Sequence, residues 1–310
     1  MMLTKRPLQT EGDFWRIRNF LREIFELNGR HELAWHVARL DYWRWHFVKN
    51  LEVCRSLQDV VTFWEGAGGQ IAAVLNPFTL SEAFLHVHPA YRHTDLEDQM
   101  LAHAERAYVP PDANGQRQIF VMTDASDSSR QKVLAGRGYL KRAQPIHRWW
   151  KELDGEPMGE MVVPGFVIRS MGGPAELPAR SWASWKAFHA DEPAGNYQDD
   201  GGAWYRNVQS APLYRRDLDI VAEAPNGEIA AFCTIYFDDV TRSAVCVLVG
   251  TVPEHQQLGL GKAVLGEGCR RLQQMGATRV FANGYDPPAS ALYRSALGRL
   301  SISHSWQKRY

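Results

Sequence analysis

The stretch PEHQQLGLGKAVL, Pro253–Leu265, sets two glycines and a lysine between an apolar strand pattern and an apolar helix pattern. Gly259 and Gly261 leave no Cβ between backbone N–H groups and an anion. The helix N-terminus that follows adds about half a positive charge. Residues of these types at this spacing suit phosphate binding. Two other phosphate loops fail on spacing. A GxxxxGK[ST] loop would need glycine where Gln256 stands and Ser or Thr where Ala263 follows Lys262. A dinucleotide fingerprint would need a third glycine at Val264 and an earlier βαβ position.

The frame occurs twice. PAYRHTDLEDQML, Pro89–Leu101, has Asp95 and Glu97 where the later copy has its glycines. Gly69 of GQIAA and Gly227 of GEIAA are 158 residues apart, Pro89 and Pro253 are 164 apart, and Gly138 and Gly298 are 160 apart. Three anchors in one order at nearly constant offset imply a diverged duplication. The expected division is a first domain at 1–153, a Gly- and Pro-rich linker at 154–165 and a second domain at 166–310.

The second half must position the loop. Strands are expected at 166–171, 217–224, 229–237, 244–252 and 279–285, with a closing strand over the last ten residues. PNGE, with Asn226-Gly227, reads as a tight hairpin. Helices are expected in the Trp-rich stretch 176–190, at 261–275 with Val264, Leu265, Leu272 and Met275 on one side, and at 288–297. Gly266 and Gly268, inside the second of these, imply close packing on the sheet. The first half gives a similar, fainter string.

With this setting, Gln256-Gln257-Leu258-Gly259-Leu260-Gly261 resembles the Q/R-x-x-G-x-G/A loop of the GNAT superfamily of N-acetyltransferases. The preceding VLVGTVP is similar to that family's V-x-P strand end. Asp286 to Arg299 approximates its N-x-x-A-x-x-L-Y-x-x-x-G-F pattern. The resemblance covers nearly all of 166–310 and, more loosely, 3–153. It implies an α/β (α+β) chain of two tandem GNAT-like acyl-CoA N-acyltransferase domains. Each would hold a mixed, mostly antiparallel sheet flanked by helices.

The resemblance implies acetyl-CoA as cosubstrate, its pyrophosphate held by Gln257, Leu258, Gly259, Leu260, Gly261, Lys262 and Ala263; Lys262 reads equally as a solvated lysine in a first turn. It also implies contacts from Val249, Gly250, Thr251 and Val252, on a strand that splays from its parallel neighbour, and from Asp286 and Ala289. Tyr293 would protonate or hydrogen-bond the leaving thiolate; read alone, it is a core tyrosine on a helix. Gly250 suits a bulge or a close backbone approach. The chain departs from the pattern at Asp286, where the family has Asn, at Arg299, where it has Phe, and by one extra residue before Gly298. A general base is not readable: Asp238, Asp239, Asp191, Glu192 and His255 are candidates by position. The acidic loop 191–202 would attract a cationic amine or merely be solvated.

In the first half, Asp95 and Glu97 would point carboxylates into the phosphate nest, or merely favour the helix N-terminus as first-turn acids, and the offset puts Val133 in the tyrosine place. That half is expected to keep the fold without acetyl-CoA chemistry.

Composition bounds the rest. The 310 residues carry 35 Lys and Arg against 35 Asp and Glu, so charge makes no case for nucleic acid or an anionic membrane. The N-terminal stretch does not read as a signal peptide and no apolar run suits a membrane span. Cys54, Cys233, Cys246 and Cys269 form no CxxC pair. They read as reduced thiols of a cytoplasmic protein, with no metal site and no covalent nucleophile. The expected activity is transfer of an acetyl group to a primary amine of a small molecule or peptide. The alternative is a non-catalytic acyl-CoA-binding or regulatory protein.

Overall fold

The computed structural model describes residues 3–92, 95–111 and 114–310. His93 and Thr94 of the earlier frame lie outside the described residues. The strands and helices alternate along the chain. They begin with β1 (Thr4–Pro7), α1 (Glu11–Leu27), α2 (Val37–Tyr42), α3 (Leu57–Val60), β2 (Thr62–Glu65), β3 (Ile71–Pro77) and β4 (Glu82–Val87). Next come α4 (Leu96–Ala107), β5 (Gln118–Asp124), α5 (Ser128–Gly136), β6 (Leu140–Glu152), β7 (Val167–Ser170), α6 (Leu177–Phe188) and α7 (Ala203–Gln209). The rest is β8 (Tyr214–Glu223), β9 (Ile229–Asp238), β10 (Ser243–Thr251), α8 (Leu260–Gln274), β11 (Arg279–Gly284), α9 (Pro287–Ala296) and β12 (Arg299–Arg309). None of the helices described is long and apolar enough to cross a membrane.

The chain forms two compact units. One comprises Met1–Trp43, Leu51–His147 and Ser301–Tyr310, the other Arg44–Asn50 and Arg148–Leu300. In the first unit the strand order is β1-β2-β3-β4-β5-β12. Every pairing there is antiparallel except β4 with β5. In the second unit the order is β7-β8-β9-β10-β11, with the C-terminal end of β6 beside β11. Only β10 with β11 runs parallel among the registers of that unit's strands. Each unit therefore has the expected mixed, mostly antiparallel sheet flanked by helices. The closing strand of the second repeat completes the first unit, where Ser303–Arg309 pair with Asp124–Gln118. Sequence repeats and compact units are two different divisions of the chain.

In the second unit, β9 is buried along its whole length, as a central strand covered on both faces must be. On one face its Ala231, Cys233 and Ile235 meet Leu260, Val264, Leu265 and Leu272 of α8 in a single core. Each large side chain buried there contributes about 1.5–3 kcal/mol. Gly268 lets α8 lie close: a Cβ there would stand 2.4 Å from Ile235 Cδ1. Gly266 differs from expectation, because its Cβ would meet Met161 of the 154–165 segment at 2.9 Å rather than the sheet. That segment lies along α8, with Met158 N–H donating to Gln273 Oε1 at 2.8 Å and Gln273 Nε2 donating to the carbonyls of Gly155 and Glu156 at 3.0 Å.

Candidate active site

β10 and β11 part early. Their parallel register runs from Ser243↔Arg279 to Val245↔Phe281 and stops, although β10 continues to Thr251. Just beyond the last pair, β10 bulges against β9 between Cys246 and Leu248. The bulge therefore falls at Val247, and Gly250 serves the other expectation, a close approach. A Cβ on Gly250 would stand 2.5 Å from Phe232 Cζ and 3.0 Å from Ala187 Cβ.

The ladder with β9 decides which amides of this strand end are free. Val252 N–H donates to Ala230 O at 2.9 Å, and Gly250 faces Phe232 in the same register. Antiparallel pairs alternate, so Val249 and Thr251 turn their N–H and C=O groups toward the side β11 has left. The sequence expectation of a splayed strand with free backbone groups thus has a geometric basis at Val249 and at the Thr251 N–H.

The loop follows directly. A short 3-10 turn, Pro253–His255, precedes it. Gln256 Nε2 donates to Thr251 O at 3.4 Å, and Lys186 Nζ of α6 pairs with Glu254 at 2.6 Å. Gln257 (φ +64) and Gly259 (φ +82) take left-handed backbone conformations, which is the reason a glycine suits the N-cap of α8. Ala263 is the first residue to close a helical turn, onto Gly259 O at 3.0 Å. Among the described residues the amides of Gln257 to Lys262 donate to no protein group. Gly261 keeps the cradle open, since a Cβ there would stand 3.2 Å from Thr251 Oγ1 and 3.4 Å from Leu292 Cδ2. Lys262 and Leu258 are exposed, whereas Leu260 and Ala263 anchor the helix start in the core. Successive uncapped N–H groups at a helix N-terminus form an anion nest, and these residues fit a pyrophosphate.

Tyr293, on α9, is buried in the core that holds Cys246, Leu260 and Ala282. Burial, then the neighbouring Cys246 and Cys233, push its hydroxyl well above the ordinary tyrosine range. The phenol stays protonated at neutral pH and is able to donate. Asp286 caps α9, with Oδ1 accepting from the Ala289 amide at 2.7 Å. This bond already accounts for Ala289 N–H, so the structure places both residues in a helix cap.

Of the base candidates, Asp238 is fully buried at the opposite end of β10, accepting from Thr241 N and Oγ1 at 3.2 and 2.7 Å. Eight strand steps put it roughly 25 Å from Thr251. His255 packs edge-on against Phe166, ring centroids 5.6 Å apart. Asp191, Glu192 and Asp239 are exposed. Asp200 is committed to the start of α7, accepting from the amides of Gly202, Ala203 and Trp204 at 2.9–3.0 Å. Asp199 accepts from Gly201 N–H at 2.9 Å.

Sequence reasoning missed a buried polar network on the other face of β9. Asp219 accepts from the hydroxyls of Tyr205 at 2.7 Å, Tyr214 at 2.9 Å and Thr234 at 3.0 Å. Arg180 donates to Thr234 Oγ1 at 3.1 Å. Each residue reads alone as an ordinary helix or strand position; Asp219 is one of several charges on its strand, Arg215, Arg216, Asp217 and Glu223 among them, and only burial sets it apart.

The first unit fills the equivalent place with its own charges. Asp95 lies exposed at the N-cap of α4 and accepts from Gln99 Nε2 at 2.8 Å. Glu97, in the first turn, is buried and held by Arg92 at 2.9 Å and Arg130 at 3.2 Å. Asp127 joins the cluster through Arg92 and lies 3.8 Å from Arg130. The expectation of two carboxylates aimed into an open nest is corrected. One points to solvent, and the other is neutralised by two arginines.

Residues 181–298 match the model of the Acetyltransferase (GNAT) family. A mycothiol acetyltransferase of Arthrobacter sp. (strain FB24) is 24% identical over 224 residues, covering 68% of this chain and 64% of that relative's length. A GCN5-related N-acetyltransferase from Sphaerobacter thermophilus superposes with a TM-score of 0.65 at 18% identity, covering 99% of this chain and 95% of that one. A tandem GNAT protein from the clavulanic acid biosynthesis pathway also gives 0.65, at 14% identity, with 99% and 98% covered.

Proposed function

Since the chain is a member of the GNAT superfamily, we propose that residues 166–310 carry an acetyl-CoA-dependent N-acetyltransferase acting on a primary amine of a small molecule or peptide. One observation carries the reading. The unsatisfied amides of Gln257 to Lys262 lie at the end of a strand whose neighbour has departed. The cradle would take the pyrophosphate. The Val249 and Thr251 backbone would take the arm and thioester in the gap. An N–H aimed at the thioester oxygen stabilises charge that develops during attack.

The ammonium first loses a proton to solvent, then the amine nitrogen bonds to the thioester carbon. As the C–S bond breaks, the sulfur takes its electron pair and the proton of the Tyr293 hydroxyl, and the second proton lost by the nitrogen as the amide forms returns the tyrosine to its phenol. Direct attack in a ternary complex suits Cys246 and Cys233, which are buried in the core. Residues 1–153 are proposed to support this half without acyl transfer of their own, with Glu97 standing where a phosphate would bind.

Calorimetry with acetyl-CoA tests the binding step. One site per chain, abolished by Gly261→Asp, is expected; two sites, or one that survives the substitution, would refute the assignment. A screen of amines read by free thiol release tests turnover. The likeness to a mycothiol acetyltransferase supports placing that relative's acceptor first in the screen, with the acetylated product as its readout. Binding without thiol release for any acceptor would instead support a non-catalytic acyl-CoA-binding protein.

A further inference from the structure

We infer that Arg180 is a positioning residue for acyl transfer, acting through Phe232 on the backbone of Gly250. The inference rests on the acyl-transfer reading of β10. Arg180 is fully buried in α6. Its Nη1 donates to Ser184 Oγ and its Nη2 to Thr234 Oγ1, while Nε has no hydrogen-bond partner among the described residues. Its counter-charge is one hydroxyl away, because Thr234 donates in turn to Asp219 Oδ1 at 3.0 Å.

What surrounds the cation instead is aromatic. Arg180 Cζ lies 3.7 Å from the Phe232 ring centroid and 4.3 Å from that of Tyr205. Cation–π contacts of this kind are strongest when desolvated. Phe232 is the register partner of Gly250, and its Cζ occupies the space a Gly250 side chain would need. Tyr205, the guanidinium, Phe232 and the Gly250 backbone thus follow one another in contact, with Gly250 against the rim of the Phe232 ring.

Gly250 lies between Val249 and Thr251, whose amides face the gap. Because β11 has left β10 after Val245, this strand end is held from the β9 side, and the Phe232 ring is what it rests on. A buried, partly satisfied cation is an expensive way to fill space that an apolar side chain would fill more cheaply. Its planar, charged face is what Phe232 gains from it, and lysine does not offer that face.

The test separates the acyl contact from the phosphate grip, using acetyl-CoA and CoA as probes in calorimetry on the full chain. In Arg180→Met, acetyl-CoA binding is expected to weaken about tenfold and CoA binding by less than about twofold. Arg180→Lys should behave alike, since it keeps charge without the plane. Phe232→Leu, which leaves Arg180 in place, supplies the same readout should the arginine variants fail to fold. Equal weakening of both ligands would reduce Arg180 to a general structural role and overturn the inference, as would no change in either. A wild-type chain that binds neither ligand would overturn the acyl-CoA reading itself, and the inference with it.

Discussion

Tyr293 and His86 are both buried titratable groups, and burial acts on them in opposite directions to leave each one neutral. Tyr293 keeps its proton because burial raises it. Replacing it by Phe removes the donor to the departing sulfur but little packing. Turnover should fall about 10²-fold or more, with the acetyl-CoA dissociation constant unchanged in calorimetry; unchanged turnover would remove the tyrosine's role. His86, in the first unit, is lowered to about 3 by burial and then by the charge of Arg130. Its Nδ1 accepts from Trp35 N–H at 3.2 Å, so Nε2 carries the proton and donates to Asn76 Oδ1 at 2.9 Å. The unfolded imidazole titrates near ~6.5. The folded state therefore binds fewer protons between there and about 3, and stability is full above that window and lost as pH falls through it. The slope should approach ~1.4 kcal/mol per pH unit. Urea unfolding followed in the first unit at pH 7 and pH 5 should show a drop that His86→Gln diminishes.

At the scale of elements, α8 and α9 begin in contrasting ways. Asp286 closes the start of α9 on itself, while α8 starts on Gly259 with no side-chain cap. Asp286→Ala should cost about 1 kcal/mol of stability, measured by denaturant unfolding, and should loosen the helix that carries Tyr293. Asp286→Asn, able to cap equally well, should restore both stability and acetyl-CoA affinity. A loss of affinity in the Asn variant with stability intact would instead assign Asp286 a contact to the cosubstrate. These elements were legible from periodicity, within a few residues at their ends. The β8 strand starts earlier than its alternation suggested, at Tyr214, because Tyr214 pairs with Tyr236 of β9 ahead of a register shift that precedes Asp219. The bulge at Val247 was not legible. It depends on where β11 leaves β10, which no local pattern records.

For the whole molecule, the two repeats diverge most in how they handle charge at the first turn of the central helix. In the first unit Glu97, Arg92, Arg130 and Asp127 form a buried cluster. Burial alone would raise the Asp127 carboxyl, yet the bond from Arg92 and the charge of Arg130 hold it below its ordinary range. Glu97→Ala would leave the buried Arg130 and the half-buried Arg92 short of a partner, a loss of about 3–5 kcal/mol that thermal unfolding of the first unit would register. A change under 1 kcal/mol would mean the cluster is readily solvated. The C-terminal strand offers a second test. Because Ser301–Tyr310 belong to the first unit, a chain ending at Leu300 should speed amide exchange in β5, the strand that Ser303–Arg309 cover. Unchanged protection of β5 would contradict that placement.

Local order was decided by the sequence itself. The glycines of the loop, the Pro that precedes it, the apolar stripe of α8 and the anchors of the duplication all act over short distances, where period and steric freedom settle the outcome. Tertiary structure alone decided the rest. It set Phe232 beneath Gly250, brought Arg130 to Glu97, and gave the last strand of the second repeat to the sheet of the first unit. The physical reason is common to all three. Burying a charge, fitting a ring against a backbone and choosing a strand partner depend on what fills the space alongside, and that space is bounded by residues far away in the chain.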